Sequence, residues 1–135
     1  ITQFAELFDQ DAVDIIQPDL LVCGGLLEGR KIASMAEANY VTVAPHNPLG
    51  LLSTALGVHY AASINNFTIL EYHGDHKRDK AKFVDEMWAP VDGYFELPTK
   101  PGLGMELNLE SIALNPPKHW NRGFPTDAEG APAFI

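Results

Sequence analysis

A single cysteine, Cys23, is the whole thiol complement of the chain, so no internal disulfide can form. That scarcity fits a reducing compartment, and a cytoplasmic location is expected. Basic side chains are also few: 9 Lys and Arg stand against 18 Asp and Glu, for a formal net charge of -9. Such a balance argues against a nucleic-acid partner, because phosphate backbones are met by positive surfaces. No run approaches the roughly 18 consecutive apolar residues of a membrane helix, so no membrane association is expected. No charged-then-apolar leader pattern is read at the N-terminus. Neither GxGxxG nor GxxxxGK occurs, and Gly24-Gly25 alone is too short for a phosphate loop.

What is present is ordinary globular material. The chain has 135 residues, 46% hydrophobic and 20% charged, which suits one domain. It opens on Ile1 with no cap before Thr2-Gln3-Phe4, as though in mid-helix. Phe4, Leu7 and Phe8 then sit at helical spacing. Val13 to Gln17 is a β-branched run stopped by Pro18, which predicts a buried strand. After a turn at Gly24-Gly25, the spacing of Leu27, Ile32, Met35 and Ala36 predicts a helix from Leu26 to Ala38, with Asn39 just past its end. The unit repeats. Val41 to Ala44 predicts a second strand closed by Pro45, and Leu49 to Ser63 a helix with Leu52, Ala55, Leu56 and Tyr60 on one face. Asn65-Asn66 predicts a turn, and Phe67 to Leu70 a third strand.

Strands alternating with helices at this spacing mean βα units and a parallel sheet, an α/β fold. Three such strands are too few for a covered parallel sheet, because the outer ones would present unpaired backbone edges. The missing strands are therefore expected from a longer parent chain or another subunit. Residues 1–74 read as the βα part and 75–135 as a different segment. The latter starts charged, from His73 to Lys82, with a short helical turn possible between Phe83 and Trp88. Tyr94–Leu97 and Met105–Asn108 could pair as a β-hairpin, their apolar residues alternating as core strand residues do. From Asn115 onward, scattered prolines and glycines predict an irregular tail.

Each predicted strand ends on an ionisable residue: Asp19, His46 and Glu71. In parallel βα architectures, chemistry gathers at the C-terminal strand ends, and these positions converge there. An imidazole that titrates near about pH 6.5 can both take and give a proton, so His46 is the candidate acid/base. Asp19, on the neighbouring strand end, could accept the other ring N–H and fix the tautomer. Asp19 could equally cap the next helix. Glu71 could bind a substrate hydroxyl, donate to a developing enolate if protonated, or stand as a solvated loop carboxylate. His73, Asp75 and His76 have loose spacing for a metal cluster and read as a solvated loop. His59, inside a helix, and His119 with Trp120, in the tail, read as structural. Cys23 has no base or CxxC partner and reads as unreactive.

Taken together, these segments resemble the mandelate racemase branch of the enolase superfamily. Asp14-Ile15-Ile16-Gln17-Pro18-Asp19, followed by Gly24-Gly25 and Arg30-Lys31-Ile32-Ala33, resembles the sixth barrel unit. Ala44-Pro45-His46-Asn47-Pro48-Leu49-Gly50 resembles the seventh strand end of galactonate and mannonate dehydratase-like members. Asn66 to Tyr72 is similar to the eighth strand, and Lys100-Pro101-Gly102-Leu103-Gly104-Met105-Glu106 to the segment after the barrel. The resemblance departs at Leu21-Val22-Cys23 and at Asn47.

The resemblance implies a partial TIM-type barrel, its last three βα units, with a C-terminal segment that packs on a capping domain. It implies a sugar-acid dehydratase that removes the proton α to a carboxylate and eliminates a β-hydroxyl to give a 2-keto-3-deoxy sugar acid. His46 and Asp19 would form the proton-transfer dyad, Glu71 would lie near the substrate carboxylate or enolate, and Pro48 and Tyr72 would line the substrate. Mg2+ is the implied cofactor, with its ligands upstream of Ile1 and none in this chain. The implied partners are an aldonic or related sugar acid, the rest of the barrel and capping domain, and further copies in a homo-oligomer. A racemase or cycloisomerase of the same superfamily is the alternative, as is a non-catalytic partial barrel that oligomerises through its open edges.

Overall fold

The computed structural model describes residues 1–48 and 50–118. Leu49, where the second long helix was expected to begin, and His119, Trp120 and the rest of the tail lie outside the described residues. The elements run α1 (Thr2–Asp9), β1 (Ile15–Ile16), α2 (Leu20–Cys23), α3 (Gly25–Ala38), β2 (Thr42–Val43) and α4 (Leu51–Ala62). Two 3-10 turns (Asp75–Lys77 and Ala81–Phe83) and α5 (Leu109–Leu114) follow.

β1 and β2 pair in parallel, Ile15 with Thr42 and Ile16 with Val43. The third expected strand is reduced to one parallel bridge, Val43 to Phe67. Proline explains the brevity. Pro18 and Pro45 carry no N–H, so each removes a rung from the ladder. The segments still run on alongside each other. Ala44 N–H reaches Ile16 O at 2.9 Å, His46 N–H reaches Pro18 O at 3.2 Å, and Glu71 N–H reaches Pro45 O at 3.4 Å. These bonds carry the parallel register up to the strand ends.

The core lies between the strands and the helices behind them. Phe8, Ile16, Leu20, Ile32, Ala33, Ala36, Val41, Val43 and Tyr60 form one buried cluster. Ile32, Ala36 and Tyr60 sit there as their spacing predicts, whereas Leu27 is 69% exposed. Gly29 lets α3 and α4 approach closely: a Cβ there would stand 2.5 Å from Leu20 Cδ2 and 3.2 Å from the Tyr60 ring. The Tyr60 hydroxyl donates to Gly29 O at 2.9 Å and so satisfies its own burial. The expectation of a wholly buried first strand is corrected. Ile15 is 52% exposed beside Ile16 at 3%, since successive strand side chains face opposite ways and only one face here is covered by helices.

Leu20 to Cys23 form α2, capped at one end by Asp19 and closed by Gly24 at φ 111. Three further expectations are corrected. The hairpin between Tyr94–Leu97 and Met105–Asn108 does not form. Tyr94 bridges back to Val91 around Asp92-Gly93, and Leu107 pairs with Val84. Asp85 helps to hold that second pairing by accepting the Glu106 N–H at 2.8 Å, so Val84 is extended where a helical turn was expected between Phe83 and Trp88. Asn108, expected to end a strand, instead caps α5 by accepting the Ser111 N–H at 3.0 Å. Among the described residues, no helix is long and apolar enough to cross a membrane.

Candidate active site

Asp19, His46 and Glu71 stand together at the C-terminal ends of the three parallel segments. The Asp19 carboxylate is gripped at both oxygens. Oδ1 accepts the Leu21 N–H at 2.8 Å, and Oδ2 lies 3.0 Å from His46 Nδ1. One residue thus both caps α2 and contacts the His46 ring. A carboxylate only accepts, so His46 Nδ1 carries the hydrogen and Nε2 is left as the basic nitrogen. Nε2 lies 4.0 Å from Glu71 Oε2, beyond a hydrogen bond but close enough for both to meet one small substrate. The His46 side chain is 47% exposed and that of Asp19 only 10%, so the imidazole stands in the open and the carboxylate behind it.

Glu71 is held by groups that the sequence reading did not connect to it. Its Oε2 accepts the Asn47 N–H at 2.9 Å, and its Oε1 lies 2.7 Å from His73 Nε2. These contacts, the Asn47 N–H first and then His73, hold its carboxyl below the usual glutamate range. Glu71 is therefore an ionised acceptor here, which corrects the reading of a protonated donor. Asn47, noted above only as a departure, is 2% exposed. Its side-chain amide donates to Glu71 O at 2.9 Å and to Thr54 Oγ1 at 3.0 Å. One dipeptide therefore links all three strand ends: His46 turns to Asp19, and Asn47 turns to Glu71.

The remaining candidates separate. Tyr72 stands apart from the trio. Its hydroxyl accepts the His76 N–H at 3.1 Å and lies 2.7 Å from His76 Nδ1, and its ring meets Phe95 edge-on at 5.0 Å. It lines a cavity of about 740 Å³ with Val58, Phe67, Leu70 and Tyr94, which includes none of Asp19, His46 and Glu71. Pro48 is half-buried beside Asn47. The solvated-loop reading of residues 73–76 is corrected: His73 binds Glu71, His76 binds Tyr72, and Asp75 is 3% exposed and paired with Lys80 at 2.5 Å. His59 is structural, tied to Leu103 O at 3.0 Å. Burial raises the Cys23 thiol, which leaves it a poor nucleophile. Among the described residues, no three His, Cys, Asp or Glu side chains are grouped to hold a metal ion.

A parallel βα framework thus brings an imidazole and two carboxylates together at the ends of successive strand segments. The chain belongs to the enolase C-terminal domain-like family, whose model matches residues 1–112. It is 41% identical over 106 residues to D-xylonate dehydratase of Haloferax volcanii, a match covering 78% of this chain and 26% of that protein. It also resembles an enolase structure from Agrobacterium radiobacter, provisionally assigned as a galactarate dehydratase and bound to sodium and L-malate. That match has a TM-score of 0.87 and 39% identity, over 99% of this chain and 38% of the other. A provisionally assigned L-alanine-DL-glutamate epimerase from Burkholderia xenovorans, bound to magnesium and fumarate, matches with a TM-score of 0.81 and 32% identity, over 87% of this chain and 29% of the other. The chain spans about a quarter of the length of the curated relative.

Proposed function

We propose that this chain is the proton-transfer wall of a sugar-acid dehydratase. Residues 1–74 would supply the last three βα units of the barrel, and 75–135 the post-barrel segment. The observation that carries the reading is the Asp19–His46 contact of 3.0 Å, which leaves His46 Nε2 basic and 4.0 Å from Glu71. The dehydratase names among the relatives support the reaction class.

The chemistry follows from those atoms. The C2–H bond α to the substrate carboxylate breaks, the C3–O bond of the β-hydroxyl breaks, and water leaves. The enol that remains becomes a 2-keto-3-deoxy acid. His46 takes the C2 proton or returns one to the departing hydroxyl, according to which face of the substrate it meets. Asp19 steadies the imidazolium in either case. Ionised Glu71 accepts a hydrogen bond from a substrate hydroxyl and so orients the chain of the sugar. Mg2+ bound by residues outside this chain would stabilise charge on the substrate carboxylate.

The test is to assay the complete protein that carries this chain against a panel of aldonic and aldaric acids, following 2-keto product. Turnover that His46→Asn abolishes is expected, together with loss of activity on chelation of divalent metal. Exchange of the α-proton with solvent, without elimination, would replace this reading with the racemase alternative. The 135-residue chain alone is expected to give no turnover, because the strongest electrostatic stabilisation of the enolate would lie outside it.

A further inference from the structure

The Glu71 carboxylate has two anchors of different kinds. The Asn47 N–H at Oε2 belongs to the main chain, and His73 Nε2 at Oε1 belongs to a side chain. Among the described residues, His73 is the side chain hydrogen-bonded to that carboxylate. Because a carboxylate only accepts, His73 Nε2 must carry hydrogen, whether the ring is neutral or charged.

His73 also sits on firm backbone. The next residue, Gly74, takes φ 70, a conformation that a side chain would strain. Gly74 O accepts the Lys77 N–H at 2.9 Å, and the turn is fastened by buried Asp75 and its Lys80 partner. The imidazole is therefore delivered to Glu71 by a built turn.

We propose that His73 is a positioning residue that fixes the Glu71 carboxylate opposite His46. The catalytic consequence rests on the dehydratase reading above. The groups that face Glu71 are His46 Nε2, His73 Nε2 and the Asn47 N–H, with Asp19 behind the His46 ring. Without His73, Oε1 loses its donor and the carboxylate is free to turn onto His46 whenever that ring is protonated, accepting its Nε2–H. It would then hold the proton that His46 must hand on and give up its own place on the substrate.

The experiment uses the complete protein with 13C-labelled glutamate carboxyls, the Glu71 signal being identified by its loss in Glu71→Gln. His73→Leu removes the donor, and His73→Gln restores an N–H near the place of Nε2. The Glu71 titration midpoint is expected to rise in His73→Leu and to return toward the native value in His73→Gln. With an acid that the native protein dehydrates, kcat is expected to fall about tenfold in His73→Leu, with KM changed far less, and His73→Gln should recover most of it. Should His73→Leu not fold, His73→Asn, too short to reach Oε1, takes its place. A Glu71 midpoint unmoved by loss of His73, or an unchanged kcat, overturns the proposal. A native protein that dehydrates none of the acids overturns the function proposed above, while the Glu71 midpoint still decides whether His73 holds that carboxylate.

Discussion

Replacing Asp19 by Asn in the complete protein sets its two jobs against each other. The carboxylate now serves Leu21 N–H with Oδ1 and His46 Nδ1 with Oδ2. An asparagine has one acceptor oxygen. If that oxygen keeps the helix cap, the amide nitrogen faces His46 Nδ1, the ring hydrogen moves to Nε2 and the base is lost. If it keeps His46, the Leu21 N–H loses its acceptor, at about 1 kcal/mol for a broken cap. That competition alone lowers the competent population by about fivefold. Loss of a charge-assisted hydrogen bond to the imidazolium adds about 1.5–3 kcal/mol to the barrier. Together these amount to roughly 2.5–4 kcal/mol, a fall in kcat of about 10²–10³-fold. Histidine 15N spectra should show the His46 hydrogen moving from Nδ1 to Nε2, with the melting temperature little changed. A variant with kcat within about threefold of the native value, or one that keeps hydrogen on Nδ1, would refute the reasoning.

Tyr60→Phe should destabilise the protein by about 1–2 kcal/mol, because it strips Gly29 O of a buried donor; urea unfolding measures this, and no loss would place water at that carbonyl. Glu71 gives a pH signature of definite sign. Its folded pKa lies below its ordinary 4.5, so its contribution to stability is full above 4.5 and is lost as pH falls through the depressed value. Melting temperatures of native protein and Glu71→Gln should therefore draw together as pH falls below 4.5; parallel curves down to the lowest pH would contradict this linkage.

The strand-end trio was legible in the sequence because proline punctuates it. Pro18 and Pro45 end the β-branched runs and place Asp19 and His46 just beyond. Helical spacing picked out buried Ile32, Ala36, Ala55 and Tyr60 of α3 and α4, but Leu27 and Leu52, read onto the same faces, are exposed. What was not legible was set by contacts across the chain. Asn108 resembles a strand end until its side chain is seen to take the Ser111 N–H, although Glu110 in the first turn was a local signal of a helix start. His73 and Asp75 sit in a run of charge that reads as solvated, yet one is drawn to Glu71 and the other to Lys80. No pattern along the sequence reports such pairings. Tyr72, which the resemblance placed along the substrate, has its ring edge-on to Phe95, a contact across the chain that no local spacing announces.

The two carboxylates of the site share one construction. Asp19 is gripped by the N–H of residue 21 and Glu71 by the N–H of residue 47. Every amino acid except proline offers that N–H, so the side chain at exposed Leu21 is free to drift without unseating Asp19, whereas the buried Asn47 side chain is tied to Glu71 O and Thr54 as well. Those are two of the places where this sequence departs from the pattern it otherwise resembles. The scaffold thus has room to vary its surface at Leu21 while the Asp19 carboxylate beside it keeps its footing.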